Sequence, residues 1–197
     1  MIRWKIPRYI MAVLFSLLII TFSFTFRGII SQYSNTYYNL SKTDLPVKKQ
    51  VMGTDYIYTL PSNWSYDEKS FEGGEILYHA DFVSEDKAIR GFAEVWKANM
   101  PLSEFLEESK KSSLGESSFK YYKIQNTKIG IYNGFILEYS IRGNNGKYYK
   151  AVEYFIPSKD YIFFRISFFV PEDSYNNKID MIIKRIIDTI HVKNHIT

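Results

Sequence analysis

The sequence contains no cysteine and only three histidines. The absence of cysteine excludes disulfide bonds, thiolate catalysis and the attachment of a lipid to a cysteine. Glycine-rich phosphate loops, nucleophile elbows and zinc-spaced clusters are missing as well. We therefore predict no catalytic residue, no metal site and no cofactor, and a folded domain that packing alone must stabilise.

Positive charge is scarce outside the first fifty residues, although the whole chain carries a formal net charge of +4. Residues 51–197 contain 18 basic and 20 acidic residues, with the two signs interspersed. A nucleic-acid-binding domain needs a basic surface that neutralises phosphates. The sequence therefore predicts no nucleic-acid partner.

The one long stretch without a charged residue is 9–26. As a helix, a stretch of this length covers about 27 Å, close to the hydrocarbon core of about 30 Å in a bilayer. Three cations lie in residues 1–8, whereas only Arg27 follows closely, so the N-terminus is predicted to be cytoplasmic. Residues 1–27 are thus predicted to be a leader and single-pass anchor in the cell membrane, with an extracytoplasmic C-terminal domain.

Two alternatives exist for this apolar stretch. A cleaved signal peptide usually has an apolar region of about 7 to 15 residues that ends at small residues, and no such site follows Phe26. A buried core helix rarely has so long an uncharged run directly after a basic leader. The pattern favours an uncleaved signal-anchor.

Residues 28–50 are predicted to be a stalk, because polar residues interrupt any apolar period and Pro46 opposes a continuing helix. A flexible segment of this length spans roughly 25 to 30 Å. The remaining residues, 51–197, suffice for one hydrophobic core and form the predicted extracytoplasmic domain.

This domain is predicted to be α+β, with an antiparallel sheet and packed helices. Alternating apolar residues predict strands, and an apolar period near 3.6 predicts helices. The predicted strands are 56–61, 76–83, 90–98, 119–125, 131–142, 148–156 and 161–170. On the last strand, alternate apolar residues predict that one face belongs to the core.

Two helices and three tight links complete the predicted domain. A short helix runs from Pro101 to Gly115, and a long amphipathic helix occupies about 174–191, with Asp173 as its N-cap and a stripe of isoleucines. The links 84–87, 143–146 and 158–160 are predicted to close β-hairpins.

Residues 58–64, Tyr-Thr-Leu-Pro-Ser-Asn-Trp, resemble the opening strand and turn of the PsbP-like (PsbP/DcrB-type) α/β sandwich family. Residues 154–168 and the helix at 179–190 resemble its closing half. The resemblance covers about 52–192 and rests on the order of elements. It implies an antiparallel sheet with packed helices, but no shared catalytic residues. A helical anchor stands where many bacterial members have a lipidated cysteine.

Aromatic residues make up 18% of the chain. Adjacent tyrosines in a strand point to opposite faces, so some rings are predicted to lie in solvent or in a groove. Tyrosine and tryptophan offer rigid amphipathic area for binding, although aromatic residues are also good strand formers. The candidate ligand-binding residues are Trp64, Trp96, Tyr121, Tyr122, Tyr148 and Tyr149.

These features predict a noncatalytic, membrane-tethered binding or assembly module of the bacterial cell envelope, with a protein, peptide or glycan as partner. The alternative is an envelope hydrolase with His79 and Asp81 as general-base pair, because both lie on one side of a predicted strand. A structural hydrogen bond or surface exposure also explains that pair, whereas a pocket with a third titratable group would favour the hydrolase. His191 and His195 have metal-pair spacing, but a solvated tail explains them better.

Overall fold

The computed structural model describes residues 46–50, 56–116 and 119–192. Within these ranges the strands are β1 (Pro46–Gln50), β2 (Tyr56–Pro61), β3 (Ser65–Lys69), β4 (Ile76–Val83), β5 (Arg90–Lys97), β6 (Phe119–Ile129), β7 (Tyr132–Arg142), β8 (Tyr148–Pro157), β9 (Ile162–Pro171) and β10 (His191–Val192). The helices are α1 (Leu102–Glu116) and α2 (Asn177–Ile187), with a 3-10 helix at Glu172–Ser174. The predicted α+β architecture is confirmed.

Seven strands form one antiparallel sheet in the order β3-β4-β5-β9-β8-β7-β6. Helix α1 carries the chain from β5 to the far edge at β6, and successive hairpins then return it to β9 beside β5. Strands β1, β2 and β10 form a small second sheet. The large sheet thus has β5 and β9 near its centre and β3 and β6 at its edges.

One face of the large sheet packs against α2 and the small sheet. Phe164, Ile166 and Phe168 of β9 lie in this cluster with the buried residues Tyr58 and Ile183. The buried cluster on this face is aliphatic and aromatic, and the ion pair between Lys150 and Glu138 on the same face is partly exposed. Burial of apolar area is therefore the main force that holds α2 and the small sheet in place.

The opposite face packs against α1. Leu102, Phe105 and Leu106 are buried at helical spacing, and the Phe105 ring contacts the rings of Trp96 and Phe163 at centroid distances of 6.0 and 5.0 Å. The sequence predicted one core face on β9, and that face is confirmed. The second face is also buried, because α1 covers it, and so β9 has core on both sides.

Helix α2 is shorter than predicted. It begins after Asn176, whose side-chain oxygen accepts hydrogen bonds from the backbone nitrogens of Lys178 and Ile179, at 2.9 and 3.3 Å. The predicted N-cap, Asp173, lies instead in the 3-10 helix that precedes it. The isoleucine stripe is confirmed, since the buried residues of α2 are Ile179, Ile183, Ile186 and Ile187. Helix α1 ends one residue after Gly115.

Three strands were not predicted. Strand β1, Pro46–Gln50, falls in the predicted stalk but pairs along its length with β2. Strand β3 has five residues, of which three are charged, so it carries no apolar alternation. Strand β10 pairs through two residues with β2 and begins four residues after the last residue of α2. Each of these strands is short and is defined by its partner more than by its own residues.

The predicted hairpin links are confirmed. The Gly143 nitrogen donates to the Lys147 carbonyl at 2.8 Å, and Gly146 adopts φ +77°, which a residue without Cβ tolerates. The Ser158 nitrogen donates to the Ile162 carbonyl at 2.7 Å, and Asp160 and Tyr161 have positive φ. The chain therefore reverses at these two links, and it also reverses at 84–87, where the Lys87 nitrogen donates to the Ser84 carbonyl at 2.8 Å.

Among the helices that the structure describes, none combines the length and the apolar character that a bilayer span requires. The predicted anchor at 9–26 and most of the predicted stalk lie outside the described residues.

Candidate functional site

Polar and charged side chains cross the buried face beneath α1 as a continuous hydrogen-bonded string. The members come from five neighbouring strands of the large sheet: His79 on β4, Glu94 on β5, Arg165 on β9, Glu153 on β8 and Tyr139 on β7. All five are buried. We call this set the charge string.

Arg165 lies at the centre of the charge string. Its Nε donates to Glu153 Oε2 at 2.9 Å and its Nη2 to Glu153 Oε1 at 3.0 Å, while Nη1 reaches Glu94 Oε2 at 3.4 Å. The guanidinium also lies 4.7 Å from the centroid of the Phe92 ring. Burial would lower the pKa of Arg165, but the two carboxylates raise it, so the side chain remains a cation.

Tyr139 ends the charge string on the side of β7. Its hydroxyl donates to Glu153 Oε1 at 2.7 Å, and burial followed by the charge of Glu153 raises the pKa of Tyr139 well above its usual value. The ring of Tyr122 stacks on Tyr139 at a centroid distance of 5.5 Å. The phenol is therefore a hydrogen-bond donor that satisfies a buried carboxylate.

His79 ends the charge string on the side of β4. Its Nδ1 lies 2.7 Å from Glu94 Oε1 and its Nε2 lies 3.1 Å from Asp81 Oδ1. The imidazole stacks on Phe92 at 5.5 Å and meets Phe71 edge-on at 5.0 Å. Both ring nitrogens thus lie within hydrogen-bond distance of carboxylates, and two phenylalanine rings contact the imidazole.

The charge state of His79 follows from these contacts. Burial would lower the pKa of His79, but hydrogen bonds and charge interactions with Asp81 and Glu94 outweigh burial and raise it to about 9. Burial would likewise raise the pKa of Asp81, but hydrogen bonds from His79 and Lys69 lower it. At neutral pH the imidazole is a cation that donates from both nitrogens to carboxylates.

The structure brings the predicted pair His79 and Asp81 together and adds a third titratable group, Glu94. A general base needs an unprotonated nitrogen directed towards a substrate. The imidazolium of His79 has both nitrogens engaged with carboxylates, and its side chain is 5% exposed. The arrangement therefore fits an ion-pair network better than a general-base pair.

The sequence analysis did not single out two carboxylates of this site. Glu94 and Glu153 are fully buried and share Arg165. A signal was present in the strands, since Glu94 stands between Phe92 and Trp96 at alternate positions of β5. A charge on the apolar side of a central strand requires a buried partner.

The two candidate tryptophans lie in separate cores. Trp64 packs on Phe82 at a centroid distance of 5.8 Å in the cluster beneath α2. Trp96 lies beneath α1, where its Nε1 donates to Glu94 Oε2 at 2.7 Å. Both indoles are less than one tenth exposed, so the structure does not bring them together on a surface.

The four candidate tyrosines divide between the two faces of the large sheet, as predicted for adjacent residues in a strand. In the strand register, Tyr121 of β6 pairs with Ser140 of β7, and Tyr148 of β8 pairs with Arg142 of β7. Both tyrosines therefore point to the side of the sheet that faces α2. Tyr121 is 39% exposed, and the Lys120 Nζ lies 4.0 Å from the centroid of the Tyr148 ring. We call Lys120, Tyr121 and Tyr148 the tyrosine surface.

The other two tyrosines point to the α1 side. Tyr122 packs beneath α1 against Tyr139 and Phe119. The Tyr149 hydroxyl accepts a hydrogen bond from Asn145 Nδ2 at 2.9 Å, near the hairpin turn. The structure therefore places only Tyr121 and Tyr148 on one shared surface.

Metal ligands do not gather in the part of the chain that the structure describes, where no group of three or more His, Cys, Asp or Glu could hold an ion. His191 is exposed, and its Nδ1 lies 2.9 Å from the carbonyl oxygen of Thr189. His195 lies outside the described residues.

Similarity to known proteins is seen in the fold and not in the sequence. No family model matches the sequence. No curated protein matches it. Among solved structures, cyanobacterial PsbP (CyanoP) from Synechocystis sp. PCC 6803 is similar over 84% of this chain and 99% of its own, with a TM-score of 0.56 and 9% identity. The chain has the PsbP-like fold.

Two further structures are similar. The Saccharomyces cerevisiae Ran-binding protein Mog1p has a TM-score of 0.48 and 8% identity over 76% of this chain and 96% of its own. A protein from Bacteroides thetaiotaomicron has a TM-score of 0.48 and 18% identity over 72% of this chain. The match spans 46% of the Bacteroides protein, less than half its length.

Proposed function

We propose that this chain is a noncatalytic binding or assembly module of the bacterial cell envelope. The observation that carries the proposal is the hydrogen bonding of His79, whose two ring nitrogens are hydrogen-bonded to the carboxylates of Glu94 and Asp81. The residues of the alternative hydrolase are thereby committed to an internal ion-pair network. The PsbP-like fold supports the proposal only as a scaffold, because a fold does not define an activity.

The tyrosine surface is the proposed contact region. Tyr121 is exposed, and Lys120 lies between the ring of Tyr148 and the carboxylate of Glu172, with which it forms an ion pair. Aromatic rings held by neighbouring charges present a rigid surface with little side-chain entropy to lose on binding. An envelope protein, a peptide or a glycan could be bound through such a surface.

We also propose that residues 9–26 anchor the domain to the cell membrane and that the domain lies outside the cytoplasm. Support comes from the uncharged run and from the cations that precede it. Protease added to cells stripped of their wall should degrade the domain and leave a cytoplasmic marker intact. A domain that is resistant until the membrane is lysed would contradict this topology.

The binding function is tested by a photo-crosslinking amino acid placed at Tyr121 in the full chain inside cells. The same amino acid at Tyr161 is a matched control, since Tyr161 is an exposed tyrosine in the β8–β9 turn. We expect a discrete adduct from position 121 and none from position 161. Equal adducts from both positions, or none from either, would contradict the proposed surface.

The hydrolase is tested with His79→Gln in the same cells. The variant keeps a side chain that hydrogen-bonds, and circular dichroism of the purified chain checks that it is folded. We expect the adduct at position 121 to persist and the cells to keep their wild-type envelope. A hydrolytic activity of the wild-type chain that the folded His79→Gln variant loses would overturn the proposal.

A further inference from the structure

Strand β6 forms one edge of the large sheet, and it is long for an edge. It runs for 11 residues, about 36 Å at 3.3 Å per residue, whereas β3 at the opposite edge has five. Among the described strands, β6 pairs with β7 only. One side of its backbone therefore presents hydrogen-bonding groups that no described strand satisfies, and edges of this kind are usually short.

The charges of β6 are all of one sign. The strand carries Lys120, Lys123 and Lys128 and has no aspartate or glutamate. The three lysines are exposed. The side chain of Lys120 forms an ion pair with Glu172. The side chains of Lys123 and Lys128 form no ion pair or hydrogen bond with a described residue. Lysines along an edge repel basic strands and attract acidic ones, so an acidic strand is the favoured partner.

The register of β6 adds a second element of recognition. Tyr121 and Lys123 are two residues apart and so point to the same face, the face of the tyrosine surface. A strand laid beside β6 would place two of its own side chains, two residues apart, beside Tyr121 and Lys123. In an alternating sequence of acidic and β-branched residues, the acidic side chains all lie on this face, where the Lys123 ammonium and the Tyr121 hydroxyl can bind them, and the β-branched side chains lie on the opposite face, beside Ile124.

We propose that β6 binds an extended acidic segment of a partner protein, which adds to the large sheet as a further strand. The backbone edge supplies the hydrogen bonds, and the lysines select for acidic side chains. This inference rests on the proposed binding function and specifies its partner and its geometry.

The test uses the full chain in detergent micelles and a fluorescent peptide of alternating glutamate and valine, about as long as β6. Fluorescence anisotropy measures binding. A peptide with lysine in place of glutamate tests the charge, and the Glu-Val peptide with alternate backbone nitrogens methylated tests the strand pairing. We expect the Glu-Val peptide to bind and both of the others to bind about tenfold more weakly or not at all.

The variant Lys123→Glu with Lys128→Glu reverses the charge of the edge. The matched control is Lys178→Glu with Lys184→Glu, which changes the net charge equally on the exposed side of α2. We expect the β6 variant to lose about tenfold or more in affinity and the α2 variant to stay within about twofold. Equal losses would mean that only net charge matters and would overturn the proposal.

Three other results would also overturn it. The first is no binding of the Glu-Val peptide; if the adduct at position 121 persists, the proposed function stands and only this inference fails. The second is equal binding of the methylated peptide, because strand addition needs those nitrogens. The third is self-association of the chain that Asp67→Lys on the acidic edge strand β3 abolishes, because the occupant of β6 would then be a second copy.

Discussion

The face of the large sheet beneath α2 is lined with aliphatic and aromatic side chains, whereas the face beneath α1 carries the charge string in its middle. Both faces are buried, yet they are stabilised differently. Apolar contacts are non-directional and tolerate small shifts between layers. Hydrogen-bonded ion pairs such as Arg165 with Glu153 require one alignment, so the charged face fixes how β4, β5, β9, β8 and β7 line up.

This difference predicts different responses to substitution. On the apolar face a new charge has no partner, so the damage is large and cannot be repaired nearby. On the charged face the loss of one member leaves other charges unpaired, and neutralising those partners should repair the damage. The four predictions below test this contrast, from the largest expected effect to the smallest.

Ile183→Asp should have the largest effect. Ile183 is 1% exposed in the cluster beneath α2, so the substitution buries a carboxylate without a partner and loses apolar burial. The combined loss of about 5 kcal/mol or more approaches the whole stability of an ordinary domain. We expect no cooperative thermal transition by circular dichroism. Lys184→Asp, one residue further along α2 and exposed, should lose only about 1 kcal/mol, through helix propensity and the helix dipole, and should keep a cooperative transition.

Arg165→Met should have the next largest effect on stability. The substitution leaves Glu94 and Glu153 buried without their shared cation, which costs about 3 to 5 kcal/mol. Urea unfolding measures the loss. Glu94 keeps the cation of His79, whereas the described contacts of Glu153 then include no cation. Adding Glu153→Gln to the same chain removes this unpaired charge, so the double variant should be more stable than Arg165→Met alone. A double variant that is less stable than the single one would contradict the ion-pair interpretation.

The stability of the charged face should also depend on pH through His79. Because the pKa of His79 is raised from 6.5 to about 9 on folding, the protonated side chain stabilises the fold fully below pH 6.5. That stabilisation, at most about 3 kcal/mol, is lost as the pH rises through 9. Urea unfolding between pH 6 and 10 should show this decrease in the free energy of unfolding. The decrease should be absent in His79→Gln and present in His191→Gln, which changes an exposed histidine.

The same contrast explains how much the sequence could predict. The apolar face follows from local period, and so one core face of β9 and the isoleucines of α2 were predicted correctly. The charge string depends on which strands become neighbours. Glu94 and Arg165 are 71 residues apart in the chain, and only the strand order that α1 makes possible places β5 beside β9. A local pattern cannot contain that information.

The short strands were missed by the sequence analysis for a related reason. Strand β3 has the sequence Ser-Tyr-Asp-Glu-Lys, which has no alternation of its own, and it exists because β4 offers an edge to pair with. Strand β1 lay inside the predicted stalk because its pairing with β2 is not visible in its own five residues. The candidate tryptophans illustrate the same limit, since their burial depends on which helix covers each face.

The smallest expected effect concerns the start of α2. Asn176 caps the helix that covers the apolar face, and its side chain accepts from two backbone nitrogens of the first turn. Asn176→Ala removes that acceptor and should cost about 1 kcal/mol. Asn176→Asp keeps the acceptor and adds a negative charge at the positive end of the helix, so it should retain wild-type stability.

Asn177→Ala is the matched control for the cap. Asn177 is the neighbouring asparagine, it is exposed, and it lies inside the helix, where alanine has the higher helix propensity. Urea unfolding should therefore show a loss for Asn176→Ala and no loss for Asn177→Ala. Equal losses would mean that the cap contributes nothing specific. The apolar face would then hold α2 by burial of its isoleucines alone, with no directional bond at the helix start.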